Sequence, residues 1–340
     1  MKTPLSSVEI CAGAGVQALG LERAGFAMRA AVELDHHAAA TLRANRPEWN
    51  VIEGDVLDFD ISPYSDGLDL LAGGVPCPPF SVAGKQLGPE DERDLFPRAL
   101  QLVRTANPKA VMLENVRGLS QPRFAPYRSE LIAELEDMGY VVFWELVTAA
   151  DYGLAQLRPR FILVALKERF RDLFAWPAPV EHSLTVGEAL RDLMAEGGWP
   201  GAAKWSERAR GIGPTLVGGS KKHGGPDLGP TRAREAWARL GVKGSSIAEE
   251  APGPDFPVDP AIEMPRLTVR MGGVLQGFPA DWDWQGGKTA AWKQVGNAFP
   301  PPVAEAVGKS IAAALRTEDI PNGSIPATPA HPDQALLKAR

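Results

Sequence analysis

Two periods of hydrophobic and polar positions alternate along the first half of the chain. Short apolar runs at residues 7–11, 28–33, 50–52, 68–72 and 110–113 end on glycine, acidic or amide residues and predict strands. Between them, residues 16–24, 36–45, 95–105 and 127–138 carry helical spacing. The first of these helices is closed by Gly25 and the second is stopped before Pro47. Residues 140–147 and 160–166 predict two further strands. Strand and helix in strict alternation predict a doubly wound α/β sheet, in which ligands bind outside the carboxyl ends of the strands. Residues 9–15, Glu33, Asp55, Pro76, Cys77 and Glu114 all fall at or just past such ends, so the pattern predicts one shared site.

The pattern breaks between about residues 167 and 265. Glycine and proline are dense there, and only short helical pieces such as residues 231–240 stand out. Regular structure resumes near Arg266, and a last helix is predicted over residues 302–315. The expected organisation is a catalytic domain from residues 1–166 and 293–315, with a loop-rich recognition domain from residues 167–292. A tail over residues 316–340, rich in proline, alanine, asparagine and aspartate, is expected to be disordered. No internal repeat is present.

Composition narrows the class. The chain has 340 residues, long enough for a large domain plus a smaller one. No run of about 18 apolar residues occurs, as a membrane helix would need, and the first ten residues lack the pattern of a secretory signal. The two cysteines, Cys11 and Cys77, cannot form a disulfide framework or a zinc site, so a cytoplasmic location is expected. The formal net charge of −6 argues mildly against nucleic acid. Residues 201–245 nonetheless hold nine basic residues against three acidic ones. A local basic region matters more to phosphate binding than the global sum, although such runs are often a solvated surface.

Candidate chemistry sits in the turns. Gly13-Ala14-Gly15-Val16-Gln17-Ala18 fits a Gly-x-Gly-x-x-Gly/Ala turn between strand and helix, where glycine lets the backbone approach a ligand closely. Glu33 ends the next strand and is placed to accept hydrogen bonds from ribose hydroxyls. Asp55 could hold an adenine amino group. The pattern fits NAD, FAD or S-adenosylmethionine equally. Cys77 stands between Pro76 and Pro78 in a stiff loop after a buried strand; it is a candidate nucleophile and not a structural core cysteine, because a core strand would not tolerate the two prolines. Glu114 lies at the end of a neighbouring strand. Gln156, Arg158 and Arg160 alternate along the approach to a strand, and guanidinium forks suit phosphates and carboxylates. His36 and His37 read as an exposed helix start and not a metal site. Trp282, Trp284 and Trp292 read as packing residues.

Taken together, six blocks resemble the cytosine-5 DNA methyltransferases, in that family's order. Residues 9–15 resemble its cofactor loop. Residues 74–86, with Pro76, Cys77 and Phe80-Ser81-Val82-Ala83-Gly84-Lys85, resemble its nucleophile loop. Glu114-Asn115-Val116 resembles its base-binding motif, and Gln156, Arg158 and Arg160 its Gln-x-Arg-x-Arg block. Arg266-Leu267-Thr268 with residues 275–279 resembles the block after the variable region, and Gln294-Val295-Gly296-Asn297-Ala298 the closing motif. There are two departures. Many members carry an aromatic residue where this chain has Cys11, and many carry glutamine where it has Pro78.

The resemblance implies a DNA (cytosine-5-)-methyltransferase of the S-adenosylmethionine-dependent, Rossmann-like fold. Cys11, Ala12, Gly13, Gly15, Glu33, Asp55, Pro76 and Asn297 would bind S-adenosyl-L-methionine and its product S-adenosyl-L-homocysteine. Cys77 would attack a cytosine flipped out of double-stranded DNA. Glu114 would hold its ring nitrogen and amine, Arg158 would assist at the base carbonyl or the loop, and Arg160 would act through Glu114. Ser81 and Lys85 would hold phosphates, while Lys221, Lys222, Arg232 and Arg234 would read the major groove. No metal is implied. A restriction endonuclease acting separately is the candidate partner, and monomeric action is expected. The alternative with the same fold is an RNA cytosine-5 methyltransferase, whose Cys-Phe-Thr signature is missing from the middle region here. A nicotinamide oxidoreductase would explain the glycines but neither Cys77 nor Glu114. An idle DNA-binding regulator would not need them.

Overall fold

The computed structural model describes residues 4–75, 94–218 and 225–317. Seven strands form one sheet: β1 (Leu5–Ile10), β2 (Phe26–Glu33), β3 (Val51–Glu53), β4 (Leu70–Gly74), β5 (Ala110–Val116), β6 (Tyr140–Thr148) and β7 (Pro159–Lys167). Their order is β3-β2-β1-β4-β5-β7-β6. Strands β3, β2, β1, β4 and β5 pair parallel, and β7 runs antiparallel to both β5 and β6. The chain moves outward from β1 to β2 and then returns to β1's other side with β4. That reversal opens a crevice at the carboxyl ends of β1 and β4, the place where such sheets bind ligands.

Period-two alternation assigns each strand's residues to two layers. Leu71, Val111, Leu113, Phe161, Leu163 and Ala165 enter one core with α3 (Phe96–Ala106) and α4 (Ala125–Asp137). Their neighbours Leu70, Ala72, Met112, Ile162, Val164 and Leu166 enter the opposite core with α1 (Val16–Arg23) and α10 (Pro301–Arg316). Glu114 continues the second series, two residues after Met112, so its side chain leaves the sheet on the α1 and α10 side. The apolar run 110–113 predicts a strand that stops before Glu114. The ladder in fact continues to Val116, with Glu114 opposite Gly74 on one side and Ile162 on the other. The second layer closes tightly, because a methyl built on Gly20 of α1 would sit 2.4 Å from the Pro301 carbonyl oxygen of α10.

Helix α2 (His36–Asn45) starts at Asp35, whose side chain accepts from the amides of His37 and Ala38. Exposed His36 pairs with Glu53. Among the described residues no group of three or more metal-ligating side chains comes together, and no helix is long and apolar enough to cross a membrane.

The middle region is more ordered than its composition predicts. A third core joins α5 (Val186–Ala195), α6 (Ala202–Arg208) and α7 (Thr231–Arg239) to α8 (Val269–Leu275) and α9 (Lys288–Asn297). Helices α5, α6 and α9 are absent from the sequence reading. Helix α5 has a clear signal: Thr185 and Glu188 form a capping box, and Val186, Leu190 and Met194 recur every four residues on its buried side. Trp292 is fully buried and Trp282 nearly so, as packing residues. The tail from residue 318 onward lies outside the described residues.

Candidate active site

A cavity of about 560 Å³ opens at the crevice between β1 and β4. Of the residues the sequence assigned to a cofactor, Cys11, Ala12, Gly13, Glu33, Asp55 and Asn297 line it, and so does Glu114. One wall is the turn after β1. Cys11 has φ +52° and Gly13 φ +57°, so the chain doubles back and presents the Gly13 amide to Glu33 Oε2 at 2.7 Å. The other Glu33 oxygen accepts from the Asp35 amide, also at 2.7 Å. Glu33 is thus fixed by two backbone donors, and each oxygen keeps a second lone pair for a ligand. Asp55 Oδ1 accepts from the Leu57 amide at 2.9 Å, the local turn expected of an Asp at a strand end.

Gly15 is not among the residues that line the cavity. It precedes α1 with φ +88°, and a methyl built on it would lie 2.5 Å from Leu42 Cδ2. Glycine is needed there for the helix to seat against α2. Pro76, Cys77, Ser81, Lys85, Lys221 and Lys222 lie outside the described residues.

Glu9, which the sequence places among the strand-end residues, projects from near the end of β1 into the cavity and is almost fully buried; its Oε2 has no hydrogen-bond partner. Leu34, Lys293 and Phe299 line the cavity as well and are not predicted from the sequence. Burial, and then the nearby Glu33 carboxylate, push the Glu9 carboxyl well above the usual carboxylate range. Burial also pushes the Cys11 thiol up to about 12, helped by Glu33, Asp55 and Glu9. Leu34 lies on the rim, 67% exposed, while Phe299 is buried in the wall. Lys293 reaches from α9 to Asp35 across the mouth, Nζ to Oδ2 at 2.8 Å, and holds the Asp35 carboxyl below its usual range. Lys293 had no signal in the sequence, because only the fold brings α9 beside α2.

Glu114 is 9% exposed, and its Oε1 lies 2.7 Å from Arg160 Nε. Glu114 and Arg160 are diagonal neighbours on one face of the antiparallel β5 and β7 pair. Burial raises the Glu114 carboxyl, and Arg160 and then Arg158 partly offset this. Next door, Asn115 donates Nδ2 to the Val75 carbonyl at 3.0 Å. The start of the segment leading to Cys77 is therefore tied to the strand that carries Glu114. A methyl built on Gly74 would sit 3.5 Å from Glu114 Oε2.

Arg158 differs from expectation. It is 0% exposed, and its guanidinium donates to the carbonyls of Leu216 and Gly296, each at 2.9 Å. Each terminal nitrogen gives one of its two N–H groups to a backbone carbonyl, so Arg158 ties the two loops together. Arg234 is also drawn inward. Its side chain packs at Gly244 and its Nε is buried without a partner, while Arg232 is exposed on the same helix, α7. Neither lines the cavity.

Comparison with known proteins agrees with this geometry. The profile of the family described as C-5 cytosine-specific DNA methylase matches residues 5–313. The chain is 57% identical over 317 residues to the type II methyltransferase M.NaeI of Lentzea aerocolonigenes, covering 92% of this chain and 76% of that one. It is 52% identical over 318 residues to M.NgoMIV of Neisseria gonorrhoeae, covering 92% and 99%. A crystal structure of a putative DNA modification methyltransferase encoded within an E. coli prophage superposes with a TM-score of 0.65 at 22% identity. That match covers 92% of this chain and 99% of the other, and supports the fold. The chain belongs to the C-5 cytosine-specific DNA methylase family and is a DNA cytosine-5 methyltransferase.

Proposed function

We propose that this enzyme methylates carbon 5 of a cytosine flipped out of a specific double-stranded DNA sequence, through a covalent bond from Cys77. The observation that carries the reading is Glu114: a buried carboxyl, ion-paired to Arg160, in the wall of the same cavity as the β1 turn.

The cavity suits the family's methyl donor, S-adenosylmethionine. Its volume lies within the range of small-molecule sites. Nothing stands within 4 Å of a methyl built on Gly13 or on Gly54, so both backbones are open to close approach. The orphaned Glu9 Oε2 is an acceptor for an ammonium group. Glu33 would hold ribose hydroxyls, and Asp55 the adenine side. When bound, the donor supplies an electrophilic methyl group on a sulfonium.

Carbon 5 of cytosine is a weak nucleophile. Addition of the Cys77 thiolate at carbon 6 makes carbon 5 enamine-like, with negative charge building at ring nitrogen N3. Burial of Glu114 favours its neutral form, so one oxygen can donate a proton to N3 while the other accepts from the exocyclic amine. Arg160 keeps that carboxyl turned to the site. After methylation, carbon 5 loses its proton and the bond from Cys77 to carbon 6 breaks, returning the thiolate. A base within a duplex cannot reach Cys77, so flipping is required, at a cost of a few kcal/mol. Ser81 and Lys85 would grip backbone phosphates, and the region around Lys221, Lys222, Arg232 and Arg234 would read the groove.

What supports DNA over the RNA alternative is the family description and the printed names of the relatives. Those names also support a restriction-modification setting; in this reading an endonuclease acts separately and the chain acts as a monomer. The covalent step is tested with randomised duplexes containing 5-fluorocytosine. Fluorine at carbon 5 cannot leave as a proton does, so the adduct should persist. The expected result is a denaturant-resistant protein–DNA adduct that disappears in Cys77→Ser; an adduct undiminished in that variant would refute the assignment.

A further inference from the structure

The segment 213–218 runs from the middle module to Asn297 at the edge of the cofactor cavity, and Gly213, Leu216, Val217 and Gly218 are each held. Gly213 exchanges backbone hydrogen bonds with the approach to β7: its amide donates to the Ala155 carbonyl, and its carbonyl accepts from Leu157. The Leu216 amide donates to Gln156 Oε1 at 2.7 Å. Gln156 Nε2 donates in turn to the Leu275 carbonyl and to Gln276 Oε1, and Gln276 donates to the Val295 carbonyl of α9 at 2.6 Å. Trp292 Nε1 donates to the Val217 carbonyl at 2.9 Å. The backbones then touch directly. A methyl built on Gly296 would lie 2.1 Å from the Gly218 nitrogen and 2.2 Å from the Val217 carbonyl carbon.

Arg158 sits at the centre of this joint. One terminal nitrogen holds Leu216 on the module side, and the other holds Gly296 on the cavity side. Its backbone is at φ +26°, a region a non-glycine residue occupies only when its surroundings impose it. Its Nε is buried without a partner. A fully buried guanidinium with one orphaned donor is a costly way to hold two loops. The residue after Gly296 is Asn297, which lines the cavity; a methyl built on Gly218 would lie 3.2 Å from its Oδ1. Helix α9 thus turns Lys293, Gln294 and Asn297 to the cavity, while Trp292 and Val295 belong to the module's core.

We propose that Arg158 is a positioning residue that couples the DNA-reading module to the cofactor cavity, by locking segment 213–218 to the Gly296–Asn297 turn. A shift of the module on DNA would then be felt at Asn297, and cofactor binding would be felt by the module to the same extent, since such coupling is reciprocal. This rests on the cavity being the cofactor site and the module being the DNA reader.

The test measures S-adenosylhomocysteine binding calorimetrically, alone and with a saturating duplex that carries the sequence methylated in cells. The full chain should bind it more tightly with the duplex, by about five-fold or more, the lower range of allosteric coupling. In Arg158→Lys, whose single ammonium cannot span both carbonyls, that ratio should fall below about two-fold. A merely structural role would weaken binding equally with and without DNA and leave the ratio intact. Trp292→Phe, which removes the Val217 hydrogen bond together with part of the indole but keeps an aromatic ring in the core, provides a second variant with an intermediate ratio, usable if Arg158→Lys does not fold. An unchanged ratio in the folded variants overturns the proposal, as does a wild-type ratio of one. A wild-type chain that binds no S-adenosylhomocysteine at all removes the reading of the cavity, and the coupling with it.

Discussion

Arg160 Nε and Glu114 Oε1 lie 2.7 Å apart, on adjacent antiparallel strands and on the face that opens into the cavity. Both groups are buried, and burial moves each toward its neutral form. The pair adds little stability of its own, since two buried charges gain little net free energy over a well-packed apolar pair.

Removing one partner is a different matter. Arg160→Ala leaves Glu114 buried and unpaired, so urea denaturation should show a loss of about 3–5 kcal/mol. At neutral pH the variant should also lose about a hundredfold in kcat, the range of a positioned proton donor. A folded Arg160→Ala enzyme with full kcat would show that Glu114 needs no such support.

Glu9 predicts a pH dependence of stability. Its folded-state carboxyl titrates well above the ordinary value, because of burial and then Glu33. Between the unfolded and folded values the native state binds more protons than the unfolded state, so stability falls as pH rises through that window. Glu9→Gln removes this loss. The cofactor-free variant should melt higher than the wild type at pH 7–8, and the difference should shrink toward pH 4. A lower melting temperature at pH 8 would contradict the burial argument.

The two cysteines should differ in reactivity. Cys11, pushed up to about 12, stays a neutral thiol near pH 8, and a neutral thiol is a poor nucleophile. In Cys77→Ser, where Cys11 is the sole cysteine, iodoacetamide at pH 8 should label the native chain far more slowly than the denatured chain. Equal rates would mean that Cys11 is neither shielded nor held neutral.

Gly20 tests the packing of the second layer. Its Cα faces the Pro301 carbonyl and the Glu305 amide of α10, both backbone atoms that cannot swing aside. Gly20→Ala should lower stability by about 1–3 kcal/mol through overpacking, although alanine is the better helix former. A gain in stability would show that α10 shifts freely.

The strands and helices of the sheet were legible because their periods are clean: α2 over residues 36–45 is predicted to the residue, and β7 to within one. Glu33, Asp55 and Glu114 were legible because a doubly wound sheet gathers its strand ends. What the chain does not display is contact between distant segments. Arg158 looks like a free guanidinium until Leu216 and Gly296 are seen on either side of it. Nothing in the turn after β1 shows that Gly15 lies against Leu42 of α2. Helix α5 was readable from its capping box, but the glycines and prolines around it drew the reading toward loops.

The most direct test of the account is bisulfite sequencing of a plasmid carried by a host that lacks cytosine methylation and expresses this chain. With the wild type, cytosines at one position of one short recurring sequence should resist conversion. With soluble Cys77→Ser, every cytosine should convert. Protection that persists at the same sites in Cys77→Ser would contradict covalent attack by Cys77, and a fully converted plasmid from the soluble wild type would contradict DNA as the substrate.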